Sequence, residues 1–544
     1  MASGVAVIRI SGPRSFHCLQ CLTNANAYKK AKEDSNSVKP MNKPISPRTA
    51  SLRKLYCPET GDVLDQALIL WFPAPRSFTG EDVVEFQVHG SRAVIRGVFD
   101  ALRYLDEQDG RQKGTLRAAD PGEFTRRAFE RGRMDLTEVE GLADLLAADT
   151  KTQRKQALRQ IDGMMKRQYE EWRGELLKYL AHSEAVIDFG DDDRENDICD
   201  NALYELNPRI EKLTQDIKKH LCDGRRGELI RDGVRIAIAG PPNAGKSSVM
   251  NSLAKRPAAI VSPIAGTTRD IVEIRLDLDG VSCIISDTAG LRENTTDVIE
   301  KEGIKRAKAA FVDAQIRMFI CDAGNQKSLL DAEAMLTSLL NDLREDRMGQ
   351  QLMSQGKITN FWEEREKDMS TNESETAKSP LLLVMNKSDL LSPSSVEDSI
   401  DEDRKSTVKR IKNMVGSYNY GLNENINDRP EYIKAPEILT VSCLTGEGIT
   451  ELEMELSNSV KNLLECVGAT SDVNAESALI TRDRHRRHIT ECLNHLDTFL
   501  HGRVPTDAAA EELRLAMMEL GKITGIVDVD EILDIIFRDF CIGK

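Results

Sequence analysis

The chain has 544 residues, with 89 acidic against 74 basic side chains and a formal net charge of -15 at pH 7. That length exceeds a single hydrophobic core and predicts about three or four domains. The net charge excludes a uniformly basic surface for polyanions, so any nucleic-acid contact must use local basic patches.

The eleven cysteines are scattered. Cys18-Leu-Gln-Cys21 has metal-ligand spacing but no second pair or histidine cluster near it, so free thiols of a reducing compartment are expected. No apolar run approaches the roughly 18 residues of a membrane span. The opening stretch, Met1 to Ile10, reads as a strand and not as a signal or transit peptide.

Residues 1–120 predict an α+β domain. Val5 to Ile10 alternates, and Ala67-Leu-Ile-Leu-Trp-Phe72, ended by Pro73, and Asp82 to Val88 are further strand candidates. Ala93 to Leu105 has helical spacing, and the polar, proline-spotted residues 24–50 read as a long loop. A first helical part is predicted over 121–228. It enters at Pro121-Gly-Glu-Phe-Thr125 and carries a helical pattern from Leu136 to about Phe189. An acidic break, Gly190 to Glu195, precedes a further helical segment.

Strand and helix signals alternate over 229–465, implying a parallel sheet with helices on both faces. Polar stretches near 341–379 and 392–432 read as surface insertions. Helical pattern returns over 466–544, ending on Ile532, Ile535, Ile536 and Phe540. The order of these patterns predicts an α/β domain inserted between two halves of one helical domain.

Gly240-Pro-Pro-Asn-Ala-Gly-Lys-Ser247 follows the alternating run Val234 to Ala239 and leads into a helical segment. Strand, glycine-bounded loop, Lys-Ser and helix make a phosphate-binding loop. Its backbone N–H groups (Asn243, Ala244, Gly245) and the helix start at Ser248 cradle phosphates, Lys246 reaches the β- and γ-phosphates, and the Ser247 hydroxyl is offered to Mg²⁺. Gly266-Thr-Thr-Arg-Asp270 is placed as a switch loop, with Thr267 beside the nucleotide and Thr268 presented to Mg²⁺ and the γ-phosphate. Asp287-Thr-Ala-Gly290 follows a strand, Asp287 holding Mg²⁺ through water, Thr288 and Ala289 leading to the Gly290 N–H that senses the γ-phosphate. Asn386-Lys-Ser-Asp389 ends another apolar run. A carboxylate at Asp389 accepts from the N1–H and exocyclic amine of guanine, a pair that adenine lacks. Ser442, Cys443 and Leu444 fit the last base-contacting loop. Asn-Lys-Ser-Asp alone is a weak motif; the ordered set predicts a GTPase domain of the Ras-like P-loop type.

The residue after Gly290 is Leu291, where Ras-like GTPases carry a water-orienting glutamine. Water activation must come from elsewhere, and the nearby carboxylates are Glu293, Asp297, Glu300 and Glu302. The Asn243 amide is a candidate ligand for a monovalent cation beside the phosphates.

The chain resembles the MnmE (TrmE) family of tRNA wobble-uridine modification GTPases, its mitochondrial members in particular. The resemblance rests on Ser77-Phe-Thr-Gly-Glu-Asp82, Pro121 to Phe129, Gly240 to Ser248 and Ile264 to Asp270. It also rests on Asp287-Thr-Ala-Gly-Leu-Arg-Glu293 and the terminal Phe540-Cys-Ile-Gly-Lys544. It implies a multidomain α/β protein: an N-terminal α+β domain that binds a tetrahydrofolate one-carbon donor and dimerises, a discontinuous helical domain, and an inserted GTPase domain. The implied K⁺ ligands are Asn243, Ser262, Ile264 and Thr267. The implied catalytic glutamate is Glu300, with Glu302 as the alternative alignment. The implied folate residues are Arg9, Glu85, Arg133 and Lys544; position 133 departs from the usual lysine but keeps its charge. Cys541 is a candidate near the donor, with an idle thiol as the equal alternative.

The family builds a carboxymethylaminomethyl- or taurinomethyl-type group at carbon five of the wobble uridine. It works as a homodimer with a flavin-dependent partner of the MnmG type, on tRNA and without a membrane span. The resemblance further implies a mitochondrial location, an import sequence, and a first strand with a glycine-arginine-glycine turn before Gly4, which this chain does not display. Arg126, Arg127, Arg131 and Arg133 form one basic cluster, and Arg482, Arg484, Arg486 and Arg487 another. Either phosphate contacts or solvated helix faces explain them. Two rival functions stay open at this level: a potassium-dependent GTPase of ribosome assembly, and a scaffold whose GTPase switches partners without a modification role.

Overall fold

In the computed structural model the described residues are 3–24, 45–108, 114–189, 206–222, 225–256, 259–260, 273–287, 308–355, 380–390, 402–420, 438–466, 479–501 and 506–527. The chain divides into two compact units. The first comprises Met1–Leu146, Leu158–Leu213 and Glu491–Lys544, and the second Ala147–Ala157 and Thr214–Thr490.

The first unit begins with an antiparallel sheet of four strands, β1 (Ser3–Ser11), β2 (Ser51–Tyr56), β3 (Val63–Phe72) and β4 (Val83–Gly90), in the order β1-β4-β3-β2. Period-two alternation sends Ile8, Ala67, Ile69, Val84, Phe86 and Val88 to one face. There they pack with Leu19 and Leu22 of the helix Ser15–Thr23 and with Val98 and Ala101 of the helix Arg92–Gln108. Cys18 and Cys21 are buried free thiols on the first of these helices, and burial pushes them up to about 12 and about 11.

The helical pattern of 136–189 is broken into Leu136–Ala147, Lys151–Ile161 and Met164–Phe189. Asp135 caps the first: its Oδ1 accepts from the Glu138 N–H at 2.8 Å and from the Thr137 hydroxyl at 2.8 Å. Glu138 Oε2 returns the bond to the Asp135 N–H at 2.7 Å, completing a reciprocal capping box. Later in the same unit, Arg514 of the helix Thr506–Thr524 pairs with Glu184 of the helix Met164–Phe189 at 2.8 Å.

Burial pushes Asp135 up to about 6, against hydrogen bonds from Glu138 and Thr137 that pull the other way. A carboxyl whose folded value lies above its unfolded one binds more protons when folded. Its ionised form therefore costs stability above pH 6, and the cost fades as pH falls toward 4. Asp135→Asn keeps the capping acceptor without the charge. The variant is expected to be more stable at pH 7.5 by about 1–3 kcal/mol, the gain holding to about pH 6 and shrinking as pH falls toward 4. Denaturant titrations of both chains at pH 7.5 and at about pH 4.5 measure this; a less stable variant at pH 7.5 refutes it.

The second unit holds a sheet of seven strands: β5 (Val234–Ala239), β6 (Ala259–Ile260), β7 (Glu273–Leu278), β8 (Val281–Asp287), β9 (Ile316–Asp322), β10 (Leu381–Asn386) and β11 (Ile438–Thr440). Their order is β11-β10-β9-β5-β8-β7-β6. The sheet is parallel from β11 to β8, but β7 and β6 run antiparallel, which corrects the all-parallel expectation. The reason is local: Asp279-Gly280, both with positive φ, closes a two-residue hairpin between β7 and β8.

β9 is buried along its whole length, as expected of a strand covered on both faces. One face carries the helices Lys246–Ala254 and Ile449–Cys466 through Val249, Leu253, Leu452 and Leu456. The other carries Gln326–Gln355 and Glu402–Tyr420 through Leu336, Leu339, Ile411 and Val415.

The second of these helices corrects the reading of 392–432 as an insertion, since Ile411 and Val415 belong to the core. Gln326–Gln355 runs into 341–379 and Glu402–Tyr420 occupies much of 392–432. Sparse apolar residues at helical spacing suffice to dock a helix whose exposed face is polar. The remainders, 356–379, 391–401 and 421–437, lie outside the described residues, as do the acidic break 190–195 and the terminal stripe 532–540.

Candidate nucleotide site

The second unit gathers the candidate nucleotide residues at the C-terminal ends of β5, β8, β9 and β10, the edge where open α/β sheets bind ligands. The phosphate loop follows β5 directly. Gly240 sits at φ 153°, and a Cβ there would lie 2.1 Å from the Ile320 carbonyl oxygen, so the loop needs glycine to leave the sheet. Gly245, at φ 89°, would bring a Cβ within 2.1 Å of Asn386 Nδ2. Between them Asn243 takes the left-handed conformation, φ 63°, and is exposed. Ala244 is buried and the helix Lys246–Ala254 starts at once, with Ser248 on its exposed side.

Lys246 donates from Nζ to the carbonyl oxygens of Gly240 at 2.9 Å and Pro241 at 3.0 Å, so its ammonium folds over its own loop. Burial holds it below the usual lysine range, with Asp287 pulling back. Ser247 Oγ donates to Asp287 Oδ2 at 2.7 Å, a bond that joins the start of the helix to the end of β8. The other oxygen, Asp287 Oδ1, is buried without a hydrogen-bond partner. A buried carboxylate oxygen is costly unless something neutralises it. One orphaned oxygen beside a hydroxyl is a donor set that fits Mg²⁺, which takes few protein oxygens and keeps its waters.

The base-side loops are tied to the phosphate loop. Asn386 Nδ2 donates to the Ala244 carbonyl at 2.9 Å, and Cys443 Sγ lies 3.5 Å from Asn386 Oδ1. Cys443 is half-buried, and burial raises its thiol. Ser442 is fully buried and donates from Oγ to Asp389 Oδ1 at 2.5 Å, orienting a carboxylate that is itself exposed. Leu444 is exposed beside it. Lys387, at φ 63°, pairs with Asp322 at 2.6 Å. The sequence reading missed Asp322; its only signal was an acid terminating an otherwise apolar strand.

Several candidates lie outside the described residues: Ser262, Ile264, Thr267, Thr268, Thr288, Ala289, Gly290, Leu291, Glu300, Glu302, Cys541 and Lys544. Among the described residues no cluster of three or more His, Cys, Asp or Glu side chains could hold a metal, and no helix is long and apolar enough to cross a membrane.

In the first unit, Arg9 and Glu85 are cross-strand partners on β1 and β4, paired at 2.7 Å. Arg133 is exposed, and a Cβ on Gly80 would touch its stem at 3.4 Å, so it packs against the Ser77–Asp82 turn. A carboxylate suits a ligand's ring N–H donors and exposed arginines suit its carboxylates, so the chemistry of Glu85, Arg9 and Arg133 is compatible with a folate.

Glu81 of the same turn accepts from Arg127 at 2.8 Å, Arg131 at 2.6 Å and Ser11 at 3.0 Å. Burial alone would raise Glu81, but these bonds outweigh it and hold it below the ordinary range. Part of each basic cluster is therefore paired with acids. Arg127 also pairs with Glu123, Arg126 with Glu130, and Arg486 with Glu228.

Comparison with known proteins spans the whole chain. A family model described as the MnmE helical domain matches residues 136–541, and one described as the GTP-binding protein TrmE N-terminus matches residues 1–133. The 5-taurinomethyluridine-[tRNA] synthase subunit GTPB3, mitochondrial, of Danio rerio is 39% identical over 99% of this chain and 91% of its own length. The tRNA modification GTPase gtpbp3, mitochondrial, of Dictyostelium discoideum is 41% identical over 100% and 93%. The tRNA modification GTPase MnmE of Parvibaculum lavamentivorans is 40% identical over 100% and 97%.

Proposed function

The chain belongs to the MnmE (TrmE) family of tRNA modification GTPases, and on that premise we propose that it hydrolyses GTP in the modification of wobble uridine at carbon five. The observation that carries this reading is the match, over nearly the full length of both chains, to a 5-taurinomethyluridine-[tRNA] synthase subunit. The product is of the taurinomethyl or carboxymethylaminomethyl type, and the carbon comes from a tetrahydrofolate donor. A flavin-dependent protein of the MnmG type shares the work, and the protein acts as a homodimer. Mitochondrial relatives support a mitochondrial location.

The chain's own residues divide the GTP chemistry. Lys246 leaves its carbonyl contacts to meet the β- and γ-phosphates, and the loop N–H groups cradle them. Ser247, Asp287 and Thr268 would hold Mg²⁺, which neutralises charge between the β- and γ-phosphate oxygens when bound. Asn243, Ser262, Ile264 and Thr267 would hold K⁺, a fixed positive charge where other GTPases use an arginine. Asp389, oriented by Ser442, reads guanine; Asn386, Lys387, Cys443 and Leu444 frame the base. Glu300 orients the attacking water. Arg9, Glu85, Arg133 and Lys544 would bind the folate.

Cells lacking the protein test the reading. Their tRNA is expected to lose the carbon-five substituent at the wobble uridine, measured by mass spectrometry of digested tRNA, and to regain it when the intact chain is restored. Unchanged wobble uridines would return the chain to the class of GTPases that act on something else.

A further inference from the structure

We propose that Asp322 is a positioning residue for guanine-nucleotide binding, acting by fixing the side chain of Lys387. The inference rests on the GTPase reading of this pocket. Asp322 is the last residue of β9, and its neighbour in register on β10 is Asn386. It is 6% exposed, yet its carboxylate is fully used. Oδ1 accepts from the Gly324 N–H at 2.9 Å, and Oδ2 accepts from Lys387 Nζ at 2.6 Å. The backbone repeats the tie, since the Ala323 N–H donates to the Asn386 carbonyl at 2.9 Å. β9 therefore buttresses the loop that reads the base.

Lys387 is the residue that needs support. It is a non-glycine residue in the left-handed region, a conformation that persists where its surroundings over-determine it. On one side, Asn386 is bonded to the phosphate loop; on the other, Asp389 is held by the Ser442 hydroxyl. A lysine ammonium in water would leave its four-carbon stem free to sample many rotamers, and nucleotide binding would have to restrict them. Tethered to Asp322, the stem is already fixed, and its methylenes form a ready apolar shelf for a flat ring. The tether also directs the ammonium toward a carboxylate, leaving the phosphates to Lys246. This division separates base affinity from catalysis: Asp322 touches neither the phosphates nor the attacking water, so its loss should weaken binding and spare the chemical step.

The test uses the full chain, a fluorescent GDP analogue and steady-state GTP hydrolysis. Asp322→Ala is expected to raise the Kd for GDP and the KM for GTP about tenfold with kcat unchanged. Asp322→Asn keeps one acceptor but turns the other position into a donor facing Gly324 or Lys387, so it is expected to recover only part of that loss. The Asp322→Ala, Lys387→Ala double variant is expected to bind GDP as Lys387→Ala does, because the effect runs through the lysine. Wild-type affinity in Asp322→Ala overturns the proposal. So does an equal loss in both backgrounds, or a fall in kcat at unchanged KM. If Asp322→Ala does not fold, Asp322→Asn in the two backgrounds reads the same coupling. A wild-type chain that fails to bind GDP would instead remove the nucleotide reading of the pocket.

Discussion

Glu300→Ala is expected to keep GTP binding and to lose turnover by about 10²–10⁴-fold, the usual contribution of a positioned general acid or base. The argument starts from Leu291. An isobutyl side chain cannot hydrogen-bond, so the position that orients water in Ras-like enzymes is chemically silent here. On the proposed reading the phosphate loop supplies charge neutralisation but no base: Lys246 is a donor, Ser247 is bonded to Asp287, and Asp287 is assigned to Mg²⁺. The missing group must come from the acidic segment after Leu291, and family alignment on Gly303 selects Glu300. Rates are measured at saturating GTP in potassium, beside GDP and GTP affinities. In sodium the wild-type rate should fall toward that of the variant, because a ligand set spaced for the larger K⁺ would not hold the smaller ion's equal charge in the same place. Robust turnover by the Glu300 variant would transfer the role to Glu302, and equal wild-type rates in the two salts would dismiss the cation assignment.

The nucleotide site was legible because each of its parts is a short local signal at the end of an apolar strand. A glycine-bounded loop between a strand and a helix, or an aspartate closing a buried run, is dictated within a few residues. What stayed hidden depends on partners distant in sequence. Nothing near Asp322 announces that Lys387 is its counter-ion. Arg127 and Arg131 looked like a basic patch until Glu81, from another turn, was found between them.

The helix Glu402–Tyr420 is hidden in the sequence for a related reason. Its polar composition describes the exposed face, while Thr407, Ile411 and Val415 decide its docking. The β7–β8 hairpin is, by contrast, written locally, since Asp279-Gly280 is a strong two-residue turn signal. The Arg9–Glu85 pair is intermediate: family resemblance nominated both residues, and strand register explains why they meet.

Asp389→Asn should exchange guanine for xanthine selectivity. Asp389 is acceptor-only, and Ser442 Oγ, bonded to Oδ1 at 2.5 Å, sets the plane in which its lone pairs point. Guanine presents two donors to that plane, N1–H and the exocyclic amine. An asparagine keeps one acceptor and turns the other position into a donor, which then faces the guanine amine donor to donor. A charge-assisted bond is lost and a repulsion is added, for a penalty of about 3 kcal/mol or about 10²-fold in GTP affinity. Xanthine carries a carbonyl where guanine carries the amine, so the same asparagine matches it with one bond given and one accepted. Asp389 is exposed in this structure, so bulk water can satisfy part of either arrangement, and the full discrimination requires the base, with Leu444 beside it, to exclude that water. Competition binding and hydrolysis with GTP and xanthosine triphosphate measure the exchange. A variant that still prefers GTP would mean that the base is read by backbone groups of the Ser442–Leu444 loop and not by this carboxylate. A variant that loses both nucleotides equally would make Asp389 a support for that loop.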